Sequence, residues 1–209
     1  MKIIESSVEL AQDLNPAEIM KQIERAGRVC YKSESNISDD SAEKFIANII
    51  KSGHESVIEH VSITFKIICD RGVSHEIVRH RLASYSQEST RYCDYSGNKF
   101  GGDLTFIKPC YWNEDDENYL MWRQAMAILE HLYITMRDKG ARPEQARSIL
   151  PNSLKTEIFM TANLREWRHF LKLRTSKKAH PQMREVALKI YDILNENLPV
   201  LFSDIEIEV

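Results

Sequence analysis

The sequence predicts an α+β domain with a small mixed or antiparallel sheet and long helices, and three patterns in the chain predict it. Apolar residues recur at helical spacing over long stretches, a few short stretches alternate with period two, and Pro and Gly fall at the joints between them. No internal repeat or linker divides the 209 residues, so 1–209 reads as a single domain, with no G-x-G-x-x-G or Walker loop in it.

Asn15 and Pro16 make a cap and a first-turn proline, after which Ile19, Met20, Ile23, Ala26 and Cys30 recur on one face. A helix over about 16–30 follows, with Cys30 in its apolar stripe. A second helix starts near Asp40 or Ser41, turns Phe45, Ile46 and Ile49 inward, and stops at Gly53. From His60 to Asp70 the chain alternates, with Val61, Ile63, Phe65 and Ile67 on one face, and reads as a strand that also holds Cys69 in the core. Gly72 to Arg81 reads as a short helix burying Val73, Ile77 and Val78, and the polar run 82–92 as a loop. Leu104–Ile107 is a brief strand. A long amphipathic helix then carries Tyr119, Trp122, Met126, Leu129, Leu132, Tyr133 and Met136 up to Gly140. Pro143 opens a short helix through Leu150, Leu154–Ala162 alternates as a strand, and helices follow over Leu164–Leu173 and from Pro181 onward.

Bulk composition narrows the function classes. At 43% hydrophobic and 28% charged, with 7 Gly and 6 Pro, the chain has neither the polarity of a disordered segment nor low complexity. A net charge of -3 argues against general nucleic-acid binding. Cys30, Cys69, Cys93 and Cys110 form no C-x-x-C pair, which suits reduced thiols in the cytoplasm better than zinc or disulfides. No stretch approaches the roughly 20 apolar residues of a membrane span, so a soluble protein is expected.

The chemistry is concentrated between Arg79 and Tyr92. Arg79, Arg81 and Arg91, with His80, Ser84, Ser86, Gln87, Ser89 and Thr90 among them, set forked, permanently charged donors beside hydroxyls and amides, and no lysine occurs from Gly72 to Tyr92. That choice of arginine over lysine points to bidentate recognition of a defined anion such as the phosphate of a nucleotide. The bland alternative is a helix end whose arginines pair with Glu76 and Glu88. Seven histidines raise a metal reading, but His54/His60 and His75/His80 are six and five residues apart rather than i, i+4, and no metal is expected. Ser89 lacks a base and an orienting third group in the sequence, so it reads as a hydrogen-bond donor rather than a nucleophile. A non-catalytic nucleotide- or RNA-binding module is the rival reading from another class.

Arg79-His80-Arg81, followed after Leu82–Glu88 by Ser89 and then Arg91-Tyr92, resembles the signature of the flavin-dependent thymidylate synthases. Gly53-His54-Glu55-Ser56, Arg147 with Leu150-Pro151, Asn163-Leu164-Arg165 and Leu173-Arg174 sit at that family's usual spacing, so the resemblance covers most of the chain. It implies that family's fold and a methyltransferase converting dUMP to dTMP, with methylenetetrahydrofolate as carbon donor and NADPH as reductant through FAD. It also implies a cytoplasmic homotetramer with active sites shared between subunits. FAD would lie on Ser56, Arg79, His80, Arg81, Gln87, Asn163, Arg165 and His169. The substrate nucleotide would lie on Glu76, Arg79, Gln87, Glu88, Ser89, Thr90, Arg91, Arg147 and Arg174, with Arg174 as the activating, catalytic arginine. Two positions depart from the family's usual residues: Ser86-Gln87 stands where it often has Asn-Glu, and His169 where it often has Asn.

A flavin route needs no attacking thiolate, and no cysteine here lies in an activating setting by sequence. The protein's tasks become orientation, electrostatic activation of the ring and exclusion of water.

Overall fold

The computed structural model describes residues 1–97 and 102–208. In chain order the elements are β1 (Lys2–Ile4), β2 (Ser7–Leu10), α1 (Pro16–Val29), α2 (Ser41–Lys51), β3 (Ser62–Asp70), α3 (Arg71–Ile77), β4 (Ala83–Gln87), β5 (Thr105–Ile107), α4 (Glu117–Asp138), α5 (Pro143–Ala146), β6 (Lys155–Asn163), α6 (Leu164–Arg174), α7 (Pro181–Asn197) and α8 (Pro199–Phe202). One sheet has four strands in the order β2-β3-β6-β4, and the other pairs β1 with β5 in parallel, Lys2 opposite Thr105 and Ile4 opposite Ile107. The fold class is α+β, as the sequence predicts.

Most expected elements form where their patterns put them, and the caps explain the boundaries. The Asn15 side chain accepts from the Glu18 N–H at the start of α1, and Asp70 accepts from Val73 N–H to open α3 at the end of a strand. Gly53, at φ +69, takes the left-handed turn after α2 that a side chain would resist. Gly27 allows close packing, since a Cβ there would lie 2.6 Å from the Phe45 ring.

Three expectations are corrected. The run 82–92 is not all loop, because Ala83–Gln87 forms strand β4 at the end of the sheet order. Its half-buried Ala83, Tyr85 and Gln87 alternate with exposed Ser84 and Ser86, the period-two pattern written in polar residues. The helix expected to reach Arg81 ends at Ile77, so Val78 lies beyond it and is 38% exposed. Cys30 is exposed at the C-cap of α1, one residue past the stripe that would have buried it. Strands β1 and β2 and helix α8, each of three or four residues, carry too few side chains to show a period.

The residues group into two compact units, the first Met1–Ser7, Ile67–Arg79 and Tyr85–Ile158, the second Val8–Lys66, His80–Ser84 and Phe159–Val209. In the first unit Leu104, Phe106, Met126, Tyr133, Ala146 and Leu154 form a buried cluster, and the Arg137 guanidinium holds Asp94 at 2.5 Å. Burial on the second unit's side centres on Ile63, Phe65, Trp167 and Phe170. Trp167 meets Phe65 edge-on with ring centroids 5.1 Å apart and donates its indole N–H to the Ile63 carbonyl at 3.0 Å, so its polar edge is satisfied within the core. Arg168 in the same unit is buried among carboxylates, with two hydrogen bonds of 2.7 Å to Asp204 and one of 3.0 Å to Glu55.

Candidate active site

In the second unit the site grows from the start of α6. Asn163, the last residue of β6, caps the helix by accepting from Glu166 N–H at 2.9 Å. Asn-x-x-Glu is the spacing at which the glutamate usually reaches back to the cap residue, but Glu166 does something else. Its carboxylate turns to His80, with Oε1 3.1 Å from Nδ1, and the other side of that imidazole accepts from Arg174 Nε at 3.1 Å. His80 and Glu166 are buried, and the His80 ring packs against Phe170 with centroids 4.8 Å apart. Burial lowers the pKa of His80 below the ordinary histidine value; the hydrogen bond to Glu166 opposes this and the Arg174 charge reinforces it.

Beside this trio lies a cavity of about 660 Å³ lined by Glu55, Glu59, Leu82, Asn163, Arg165, Glu166, His169 and Lys172. That volume lies within the usual range for cofactor and ligand sites, about 300–1,000 Å³. Arg165, Lys172 and the N-terminal turn of α6 give it donors suited to an anion. The charge is partly compensated: Arg165 pairs with Glu59 at 2.5 Å and Lys172 with Glu55 at 3.6 Å. A pyrophosphate-bearing group fits this donor set by taking over Arg165 from Glu59.

The first unit organises the segment after β4. Glu88 N–H donates to the Glu157 carbonyl at 2.9 Å, and the Glu88 carboxylate receives the Tyr95 hydroxyl at 2.6 Å and the Lys155 ammonium at 2.9 Å. Burial alone would lower the pKa of Lys155, but its hydrogen bonds to Glu157 and Glu88 outweigh that and raise it. Burial also raises the Tyr95 phenol, with Glu88 adding to the shift, so Tyr95 stays a donor. Arg147 reaches the Thr90 hydroxyl at 3.4 Å, and the Arg91 guanidinium lies over the Tyr92 ring, 5.4 Å from its centroid. Ser89 Oγ accepts from Arg91 N–H at 3.3 Å, which shapes the turn.

Gln87 shows why an amide stands here. The Ser74 hydroxyl gives its proton to the Arg71 carbonyl at 2.9 Å, so its oxygen can only accept, and Gln87 Nε2 supplies the donor at 2.9 Å while also reaching Thr156 Oγ1 at 3.1 Å. A glutamate has no proton to offer that oxygen.

The structure gathers His80, Asn163, Arg165, His169 and Arg174 in the second unit, with Ser56 on a short 3₁₀ turn there and Arg81 exposed. Glu76, Arg79, Gln87, Glu88, Ser89, Thr90, Arg91 and Arg147 belong to the first. Among the described residues, Arg79, Arg81 and Arg91 are exposed and none is ion-paired, while Glu88 is held by Lys155 and Tyr95 rather than by an arginine. The helix-end reading of the arginine run, with Glu76 and Glu88 as their partners, is therefore not what forms. Sequence reasoning missed Glu166, whose spacing from Asn163 disguises it as a cap, and Lys155, Tyr95, Ser74 and Thr156, which become partners only when distant segments meet. Lys172, one turn beyond Arg168 on α6, could have been found as a further cation on that helix.

Residues 14–200 match the thymidylate synthase complementing protein family, Thy1. A flavin-dependent thymidylate synthase of Pyrococcus furiosus is 40% identical over 167 residues, covering 79% of this chain and 68% of that protein. One of Thermococcus kodakarensis is 40% identical over 162 residues, covering 77% and 65%. The matched stretches thus take in about two thirds of those relatives' own length. The crystal structure of a UMP/dUMP methylase, PolB from Streptomyces cacaoi bound with 5-Br dUMP, is similar with a TM-score of 0.78 and 25% identity, covering 97% of this chain and 96% of that one.

Proposed function

This chain belongs to the thymidylate synthase complementing protein family, and we propose on that footing that it is a flavin-dependent thymidylate synthase. It methylates dUMP to dTMP with methylenetetrahydrofolate as carbon donor and NADPH as reductant through FAD. The observation that carries this reading, beyond the family match, is that Arg79, Arg81 and Arg91 are exposed and without ion pairs among the described residues, whereas Arg28, Arg137 and Arg168 each hold a carboxylate. Guanidinium groups bound to carboxylates hold the fold, while those of the signature remain open to an anionic ligand.

FAD would be held by Ser56, His80, Arg81, Asn163, Arg165 and His169 of the second unit, and the resemblance to the family also assigns it Arg79 and Gln87. What supports this is the cavity on the N-terminal turn of α6 and its cationic lining. Bound FAD supplies the redox chemistry, and the protein's side chains orient and polarise. Glu76, Arg79, Gln87, Glu88, Ser89 and Thr90 orient the nucleotide, Arg91 and Arg147 hold its phosphate, and Arg174 stabilises negative charge developing on the uracil ring. The tie from Arg174 Nε to His80 supports that role, because it fixes the plane of the guanidinium.

The family match runs through both compact units, which supports reading 1–209 as one catalytic domain. We propose a homotetramer with shared active sites, which would place Met121, Ile128 and Leu132, exposed at 67%, 60% and 45% along one stripe of α4, against another copy. No helix among the described residues is long and apolar enough to cross a membrane, and no disulfide joins Cys30, Cys69, Cys93 or Cys110, which supports a cytoplasmic setting. The purified chain incubated with dUMP, methylenetetrahydrofolate, NADPH and FAD is expected to form dTMP and to sediment as a tetramer. A protein that stays colourless after FAD reconstitution and makes no dTMP overturns the catalytic reading; a monomer overturns the assembly.

A further inference from the structure

We propose that Glu166 is a positioning residue that sets the tautomer of His80 and, through it, the orientation of Arg174. The proposal rests on reading Arg174 as the guanidinium that activates the substrate ring, and it adds a residue that reading does not contain.

The geometry leaves one proton arrangement. An arginine Nε always carries hydrogen, so at 3.1 Å it donates to His80 Nε2, which must present a lone pair. The ring proton then sits on Nδ1 and is donated to Glu166 Oε1, also at 3.1 Å. With the opposite tautomer, two N–H groups would face each other at Arg174 while a lone pair faced the carboxylate. An imidazolium would satisfy Glu166 but again oppose hydrogen to hydrogen at Arg174. Both His80 and Glu166 are buried, so water is poorly placed to relieve either mismatch, and packing against Phe170 holds the ring plane.

Helix capping does not account for the glutamate. The capping bond at this turn is made by Asn163 to the Glu166 backbone, and the carboxylate is carried away from solvent to meet His80 instead. Burying a carboxylate is costly unless it is hydrogen-bonded, and here the bond is to a ring whose second nitrogen accepts from Arg174. Among the described residues, the charged and titratable groups that act on His80 include Glu166, Arg174 and His169. Nδ1/Nε2 and carboxylate atoms of His80, Glu166 and His169 lie within 4.8 Å of one another, an arrangement that could also gather a divalent cation. Arg174 occupies the His80 Nε2 lone pair and brings a positive charge, which favours the hydrogen-bonded relay.

The test compares the FAD-loaded wild type with Glu166→Gln, Glu166→Asp and Arg174→Ala, following FAD content, dUMP affinity, kcat and its pH profile. Nitrogen-15 histidine spectra identify His80 as the resonance missing from His80→Asn. Expected is an Nδ1–H tautomer at pH 7.5 in the wild type. Glu166→Gln should keep FAD and dUMP affinity while kcat falls by about 10–100-fold, the scale of lost outer-shell partners. Its acid limb should move to lower pH, because the carboxylate that stabilised an imidazolium is gone, and Glu166→Asp should recover part of the rate. A His80 protonated on Nε2 in the wild type overturns the proposal even if Glu166→Gln fails to fold. So does wild-type kcat in Glu166→Gln when Arg174→Ala is inactive, or turnover that requires an added divalent cation. Wild-type turnover in Arg174→Ala would instead sink the underlying assignment of Arg174, whatever the tautomer.

Discussion

The start of α6 and the segment after β4 use the same residue types to opposite ends. On α6 the Arg168 side chain is buried, bound to Asp204 and Glu55, and its exposed neighbour Arg165 is paired with Glu59. After β4, Arg91 lies on the surface with an aromatic ring beneath it and no carboxylate partner among the described residues. The difference separates charge used to hold a fold from charge left for a ligand: a buried guanidinium without its partners would be a large liability, whereas an exposed one costs the fold nothing until it binds.

Four substitutions or conditions would break or sharpen that contrast. Arg168→Ala should lower unfolding free energy by about 3 kcal/mol, the low end for breaking a buried pair, because Asp204 is 47% exposed and can regain water. Denaturant titration measures it, and a loss under about 0.5 kcal/mol would place Arg168 with the surface arginines. Arg91→Ala should do the reverse: stability within about 0.5 kcal/mol of wild type, but dUMP affinity weaker by about 1.5–3 kcal/mol, read by calorimetric titration. Equal dUMP affinity in wild type and variant would remove Arg91 from the phosphate site.

Gln87→Glu should cost about 1–2 kcal/mol, since the Ser74 oxygen loses its donor, and thermal melts should show the drop although the side chains are nearly the same size. An unchanged melt would mean that Ser74 can redirect its proton. The smallest effect is that of pH. The fold holds His80 neutral below its ordinary pKa of about 6.5, so between that value and the depressed one the unfolded chain binds the extra proton. Stability therefore falls on acidification through that window, by at most about 1.4 kcal/mol per pH unit, and His80→Asn should flatten the slope. A wild-type slope of opposite sign would show that Glu166 keeps the imidazolium in the fold.

The helices were legible because their apolar stripes are long: Ile23 on α1, Ile46 on α2, Tyr133 on α4 and Ile190 on α7 are all fully buried. Strand β4 was not, since its alternation uses serine, tyrosine and glutamine, which also compose loops. Val78 and Cys30 were misplaced for one reason: each continues a periodic pattern one residue beyond the point where the helix stops. At the site, the arginine signature and Arg174 are local words in the sequence. Glu166 and Lys155 are not, because their roles are defined by residues 86 and 67 positions away, His80 and Glu88.

The most direct measurement compares anaerobic flavin bleaching by NADPH, and then dTMP formation with methylenetetrahydrofolate, for dUMP and for deoxyuridine, which lacks the phosphate. If unpaired guanidinium groups grip the nucleotide through its phosphate, dUMP should accelerate bleaching and be methylated, and deoxyuridine should be at least about 100-fold poorer in kcat/KM, roughly 2.7 kcal/mol. Equal use of dUMP and deoxyuridine, or bleaching indifferent to both, would contradict that account of the arginines.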